Sequence, residues 1–130
     1  MSRPAKQNRI KALVINPFAR TIYQEEIENT LEDIYRVTKC DCIAAVYLDE
    51  INCMYVDDEG LLVEPSKQAY FAIEGADQPF AGIGLVVGTD AEGNSADHTL
   101  NILELGQKIS FLGSPRVQSS DESGEIWAFV

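Results

Sequence analysis

The chain has 130 residues, enough for one domain with an ordinary core, and its 45% apolar and 24% charged content is that of a folded protein rather than a disordered one. Its net charge of −11 argues against nucleic acid and anionic membranes as partners, because Lys and Arg must neutralise phosphate for either to bind. No apolar run nears the ~18 residues of a membrane helix, and three cysteines at no framework spacing point to a reducing cytoplasm.

The charge is unevenly placed. Residues 1–20 carry Arg3, Lys6, Arg9, Lys11 and Arg20 and no acid, whereas residues 21–130 carry all 21 acids. Residues 1–9 read as a basic, solvated arm. The apolar run that follows is too short for a secretory leader.

Residues 10–17 predict a first strand, ended by Pro17, which lacks a ladder donor. Residues 21–24 predict a short extended return, and residues 25–28 lead into a helix. Asn29 is placed as its N-cap, with Glu32 three residues on. Leu31, Ile34, Tyr35 and Thr38 recur at helical spacing, with Ile27 one turn earlier, and predict one amphipathic helix running to Lys39.

Residues 42–64 predict a three-stranded meander around which the rest packs. The run 42–48 is apolar throughout and is placed at the centre of the sheet. Residues 51–56 form its second strand, Asp57-Asp58-Glu59-Gly60 the turn, and residues 61–63 the third. Gly60 is expected at positive φ. A turn and a short extended segment follow from Pro65 to Ile73. Residues 80–88 predict a buried strand, with Gly82 and Gly84 where a ring or backbone passes close. Residues 89–98 read as a polar loop, and residues 108–112 alternate as a strand after a helical turn. Residues 114–125 are Ser-rich and acidic. Residues 126–130 are too apolar for water and predict a strand on a sheet edge, the chain's own or that of a second copy.

The segments 10–17, 26–31, Asp58-Glu59-Gly60, Pro65, Ala81-Gly82 and Val87-Gly88 together resemble the domain of unknown function 3846, a family carried mainly by phages, plasmids and related bacterial genomes. The resemblance covers residues 10–112 and implies one compact α+β domain of mobile-element origin. It brings no activity and no cofactor. The family often has Asn and Arg after the proline, where this chain has Ser66, Lys67 and Gln68. The C-terminal segment with Trp127 and Phe129 lies outside the common core.

No catalytic constellation emerges. Cys40, Cys42, Cys53 and the only histidine, His98, lack zinc-site spacing, and two of the cysteines sit in apolar runs as small hydrophobes. A Cys–His nucleophile needs a third group to orient the base, and none is evident. His98 reads as a solvated loop residue. The acidic turn at 57–59 lacks the alternating acids of a calcium loop, and Gly82-Ile83-Gly84 lacks the third glycine of a dinucleotide fingerprint. No metal and no cofactor are expected.

Two binding functions remain. The leading expectation is a non-enzymatic protein-binding accessory factor acting on a host protein, of host-takeover or anti-defence type. Its candidate residues are Glu25, Glu26, Asp57, Asp58, Glu59, Trp127 and Phe129, and a homodimer through the C-terminal segment stays open. The alternative is a nucleotide-binding protein, with Lys67, Gln68, Gly82 and Gly84 around a pocket between the helix and the 82–88 strand. The expected fold is a single α+β domain at 10–113, a mostly antiparallel sheet of about five strands with one main helix on one face. Residues 114–130 form a tail.

Overall fold

The structure, a computed structural model, describes residues 9–113, 115–117 and 127–129. It is an α+β domain in three layers. The middle layer is an antiparallel sheet built from β1 (Arg9–Asn16), β2 (Thr21–Glu28), β3 (Ile43–Tyr47), β4 (Cys53–Asp57), β7 (Gly84–Thr89) and β8 (Ser95–Ala96). Its order is β2-β1-β7-β4-β3, with β8 also on β7. Helix α1 (Leu31–Thr38) covers one face. A three-stranded sheet covers the other, made of β6 (Phe80–Ala81), β5 (Tyr70–Ile73) and β9 (Ile109–Gly113), together with helix α2 (Ile102–Lys108).

The middle sheet is buried on both faces, which explains why its central strands are apolar runs rather than alternations. In β1, Ala12 and Val14 face α1 while Leu13 and Ile15 face the small sheet. In β7, Leu85 and Val87 do the first and Val86 the second. From α1, Ile34, Val37 and Thr38 reach the sheet, and Leu31 points to solvent at 53% exposure. The buried face of α1 is therefore rotated from the expected one, since Ile27 belongs to β2 and not to the helix.

The return strand is longer than expected because β2 runs through residues 25–28 in unbroken register with β1, from Asn16↔Thr21 to Arg9↔Glu28. The helix consequently starts later. Thr30 is its N-cap, accepting from Asp33 N–H at 3.1 Å, and the Asp33 carboxylate accepts from Glu28 N–H at 2.7 Å. Asn29 donates instead to the Ser95 carbonyl. Lys39 closes the helix in the left-handed region, φ 59°.

Three expectations for the meander are corrected. Strand β3 is an edge strand and not the centre, because β4 pairs on its far side with β7. Residues 61–63 form no third strand. Gly60–Leu62 is a 3-10 turn that leaves Leu61 and Leu62 70% and 80% exposed. Gly60 is needed for space and not for positive φ, since a Cβ there would lie 2.9 Å from that of Ala81.

The strand expected over residues 80–88 is two strands in two sheets. Gly82, at φ +86°, turns the chain from β6 into β7. At Gly84 the expected close approach is present, with a Cβ position 2.9 Å from Phe71 Cζ and 3.0 Å from Met54 Sδ. The small sheet docks on the large one at this contact.

The C-terminal strand β11 (Trp127–Phe129) pairs antiparallel with β10 (Pro115–Val117) in a separate two-stranded ribbon. Among the described residues it joins neither larger sheet, so the expected pairing with an edge of the chain's own main sheet is not made. Strand β10 lies beside the 3-10 turn Pro65–Lys67.

Candidate functional site

The two edges of the middle sheet differ in chemistry. Strand β2, TIYQEEIE, carries three acids and presents Gln24 and Glu26 to solvent. Edge charge of this kind blocks pairing with other chains. Strand β3, IAAVY, carries no charge, no proline and no bulge. Its hairpin shows which backbone groups remain. Leu48 N–H donates to Asn52 C=O at 2.8 Å, and Asp58 N–H donates to Cys42 C=O at 2.8 Å. The even-numbered residues therefore bond to β4, and the N–H and C=O groups of Ile43, Ala45 and Tyr47 point outward. Among the described residues no strand pairs with that outer edge.

Beneath β3, between the two sheets, the core is open. One groove of about 540 Å³ is lined by Ala44, Val46, Val56, Leu61, Leu62 and Phe80, with Asp57, Asp58, Glu59 and Asp77 along it. A second, of about 360 Å³, continues past Val46 and Phe80 to Leu48, Ile73, Leu100 and Leu105. The uncharged edge thus overhangs a long apolar trough with an acidic rim.

The expected acidic patches are separate. Asp57, Asp58 and Glu59 sit at the trough, whereas Glu25 and Glu26 lie on β2 at the opposite edge. Glu25 pairs with Arg36 at 3.3 Å, and Arg36 also holds Asp33 at 2.6 Å. The Arg36 hydrogen bond keeps the Asp33 carboxyl below its ordinary range. Glu25 therefore ties β2 to α1, leaving Glu26 as the outward acid. For Trp127 and Phe129 the structure gives backbone pairing only.

On the other side of the 60–67 segment lies a cleft of about 400 Å³, lined by Asn16, Phe18, Thr38, Lys39, Asp57, Val63, Lys67, Gln68, Gly82 and Ile83. Three expected ligand residues, Lys67, Gln68 and Gly82, meet there. Gly84 does not; it is packed under Phe71 and Met54. The buried Gln68 side chain donates to Gly60 C=O at 2.9 Å and accepts from Ala69 N–H at 3.1 Å, so it braces the wall. Asn16 accepts from Phe18 and Ala19 N–H through Oδ1. Phe18 is held 56% exposed at this cleft. Sequence reasoning missed Asn16 and Phe18, although an Asn-Pro strand ending is itself a turn signal.

The thiols are not primed for attack. Burial raises the Cys40 and Cys53 pKa, and the negative charge of Glu59, ahead of burial, raises that of Cys42. Among the described residues no group of three or more His, Cys, Asp and Glu side chains could hold a metal ion.

His98 is not the solvated loop residue expected. It is half-buried, its Nδ1 accepts from Leu100 N–H at 3.1 Å, and its Nε2 stands 2.7 Å from Gln24 Oε1. A ring that accepts at Nδ1 is neutral and donates from Nε2. Burial holds its pKa below the ordinary 6.5, against the opposing pull of Asp97.

A family model described as a domain of unknown function (DUF3846) matches residues 10–109. The chain belongs to this family. Four residues of the segments that resemble the family frame the cleft, since Asn16 and Gly82 line it and Gly60 and Pro65 flank its braced wall. No curated protein and no solved structure matches the chain. No helix among the described residues is long and apolar enough to cross a membrane.

Proposed function

We propose that this domain of unknown function 3846 protein is a non-enzymatic accessory factor of a phage or other mobile element. It acts in the bacterial cytoplasm by capturing an extended segment of a host protein on the β3 edge. The observation that carries this reading is the uncharged edge of β3, whose outward backbone groups overhang an acid-rimmed apolar trough.

A captured strand would continue the middle sheet by backbone pairing. Its residues on the trough side would cover Val46 and Phe80, and basic flanks would meet Asp57, Asp58, Glu59 and Asp77. A second copy of the chain is a poor occupant, since its net charge of −11 repels an identical surface. An anti-defence or host-takeover role fits such capture, and the family's company of phages and plasmids supports it.

The test is quantitative affinity capture from bacterial lysate with the full chain and its Ala45→Pro variant. Proline removes one outward N–H from an edge strand and spares the β4 ladder, so the fold tolerates it. A partner retained by the parent and lost with Ala45→Pro, and cross-linked to residues 43–47, is the expected result. Equal retention by both proteins would refute the proposal.

A further inference from the structure

The cleft beside the 3-10 turn Pro65–Lys67 has no part in strand capture, and its chemistry differs from that of the trough. Among the described residues its ionisable lining is Lys39, Lys67 and Asp57, a positive balance in a chain of net charge −11. Among the described residues Lys39 makes no ion pair, and Lys67 has only a loose contact with Glu64 at 3.9 Å, both partners well exposed. Such a contact yields readily to a better anion. The volume of about 400 Å³ suits a small molecule and not a folded partner.

We propose that this cleft binds a phosphorylated small molecule with a planar ring, of the nucleoside monophosphate class. Three features assign its parts. The two cations supply the anionic subsite, and they contribute unequally. Lys39 caps the C-terminal end of α1, where its charge offsets the partial negative charge of the last carbonyls. The phosphate is therefore held chiefly by Lys67. Phe18, an exposed ring on the β1–β2 turn, offers a stacking face. Asp57 and the Asn16 carboxamide line the space between. Asn16 Nδ2 has no partner among the described residues, so it can donate to a ligand oxygen while Asp57 accepts from a hydroxyl or amine. Gly82 adds no side chain to the floor, where a Cβ would face Gln68 Oε1 at 3.8 Å.

Amide NMR titration of the full chain with the four ribonucleoside 5′-monophosphates tests this, with the nucleosides and inorganic phosphate as controls. Saturable shifts at Asn16, Phe18, Lys67 and Gly82 are expected from at least one monophosphate, with its nucleoside binding more weakly. Lys67→Met should weaken that binding about tenfold, the loss of one charge-assisted contact, and Lys39→Met should weaken it less. Phe18→Ala should weaken the monophosphate and leave inorganic phosphate unaffected. These side chains are exposed, so unchanged spectra elsewhere certify each variant's fold. No saturable binding at millimolar concentration, equal binding of nucleoside and monophosphate, or shifts confined to another surface would overturn the proposal.

Discussion

Asn52 shows how one buried polar side chain fixes a loop. It is 1% exposed and sits in the β3–β4 turn. Its Nδ2 donates to Thr99 Oγ1 at 2.8 Å and to both Asp49 oxygens at 3.1 Å, while its Oδ1 accepts from Thr99 N–H at 2.9 Å. Replacing it with Ala strands Thr99 N–H and half of Asp49's partners, at a cost of about 2 kcal/mol in urea unfolding. An Asn52→Ala variant within a few tenths of a kcal/mol of the parent would show that water replaces these bonds.

His98 makes a second prediction at this scale. Its folded-state pKa lies below the ordinary 6.5 because burial favours the neutral ring. The folded protein thus binds fewer protons than the unfolded chain between the two values. The stability contributed by His98 is complete above about pH 6.5. It is lost as pH falls through the lowered folded value, when protonation of Nδ1 breaks the bond from Leu100 N–H. His98→Gln should flatten unfolding free energy against pH in this window, while Asp33 and Asp49, with lowered pKa values, titrate further down in both proteins. An identical slope in parent and variant would remove His98 as the cause.

At the scale of elements, an apolar run does not by itself place a strand at the centre of a sheet. Residues 12–15 and 84–88 are runs in central strands, as a sheet covered on both faces requires. Residues 42–48 are an equally apolar run in an edge strand. The difference lies in what the runs bury, because Ala44 and Ala45 offer little area and Tyr47 is 68% exposed. Helix α1 was legible in existence and end but not in its start. Thr30-x-x-Asp33 and Asn29-x-x-Glu32 are overlapping cap patterns, and the register of β2 on β1 decided between them. The crossing at Gly82 was hidden because a single apolar stretch serves two sheets. In the cleft, Lys67, Gln68 and Gly82 could be named together from sequence. Asn16 and Phe18 reach it through a turn whose direction only the folded sheet defines.

Across the whole molecule, charge and exposure divide the surface into regions with distinct chemistry. β2 is guarded by its own acids and by α2 beside it, while β3 is guarded by nothing among the described residues. The trough collects acids from the β4 turn and from the 76–79 loop, and the cleft collects cations from the end of α1 and from the Pro65–Lys67 turn. The 60–67 segment separates them and is braced from below by Gln68. Capture of a basic segment at the trough should weaken with added salt, as association between opposite charges does.

In the proposed function the backbone of β3, unpaired on its outer side among the described residues, takes up a strand. Amide hydrogen exchange of the full chain, read residue by residue by NMR, measures this directly, first alone and then with a tight-binding peptide selected from a random library. Fast exchange is expected at Ile43, Ala45 and Tyr47 and slow exchange at Ala44 and Val46 in the protein alone. With the peptide, the three odd-numbered amides should become protected, and the peptide should carry alternating apolar residues with Lys or Arg at its ends. Slow exchange at all five residues before peptide is added, or protection elsewhere with Ala45 unchanged, would contradict it.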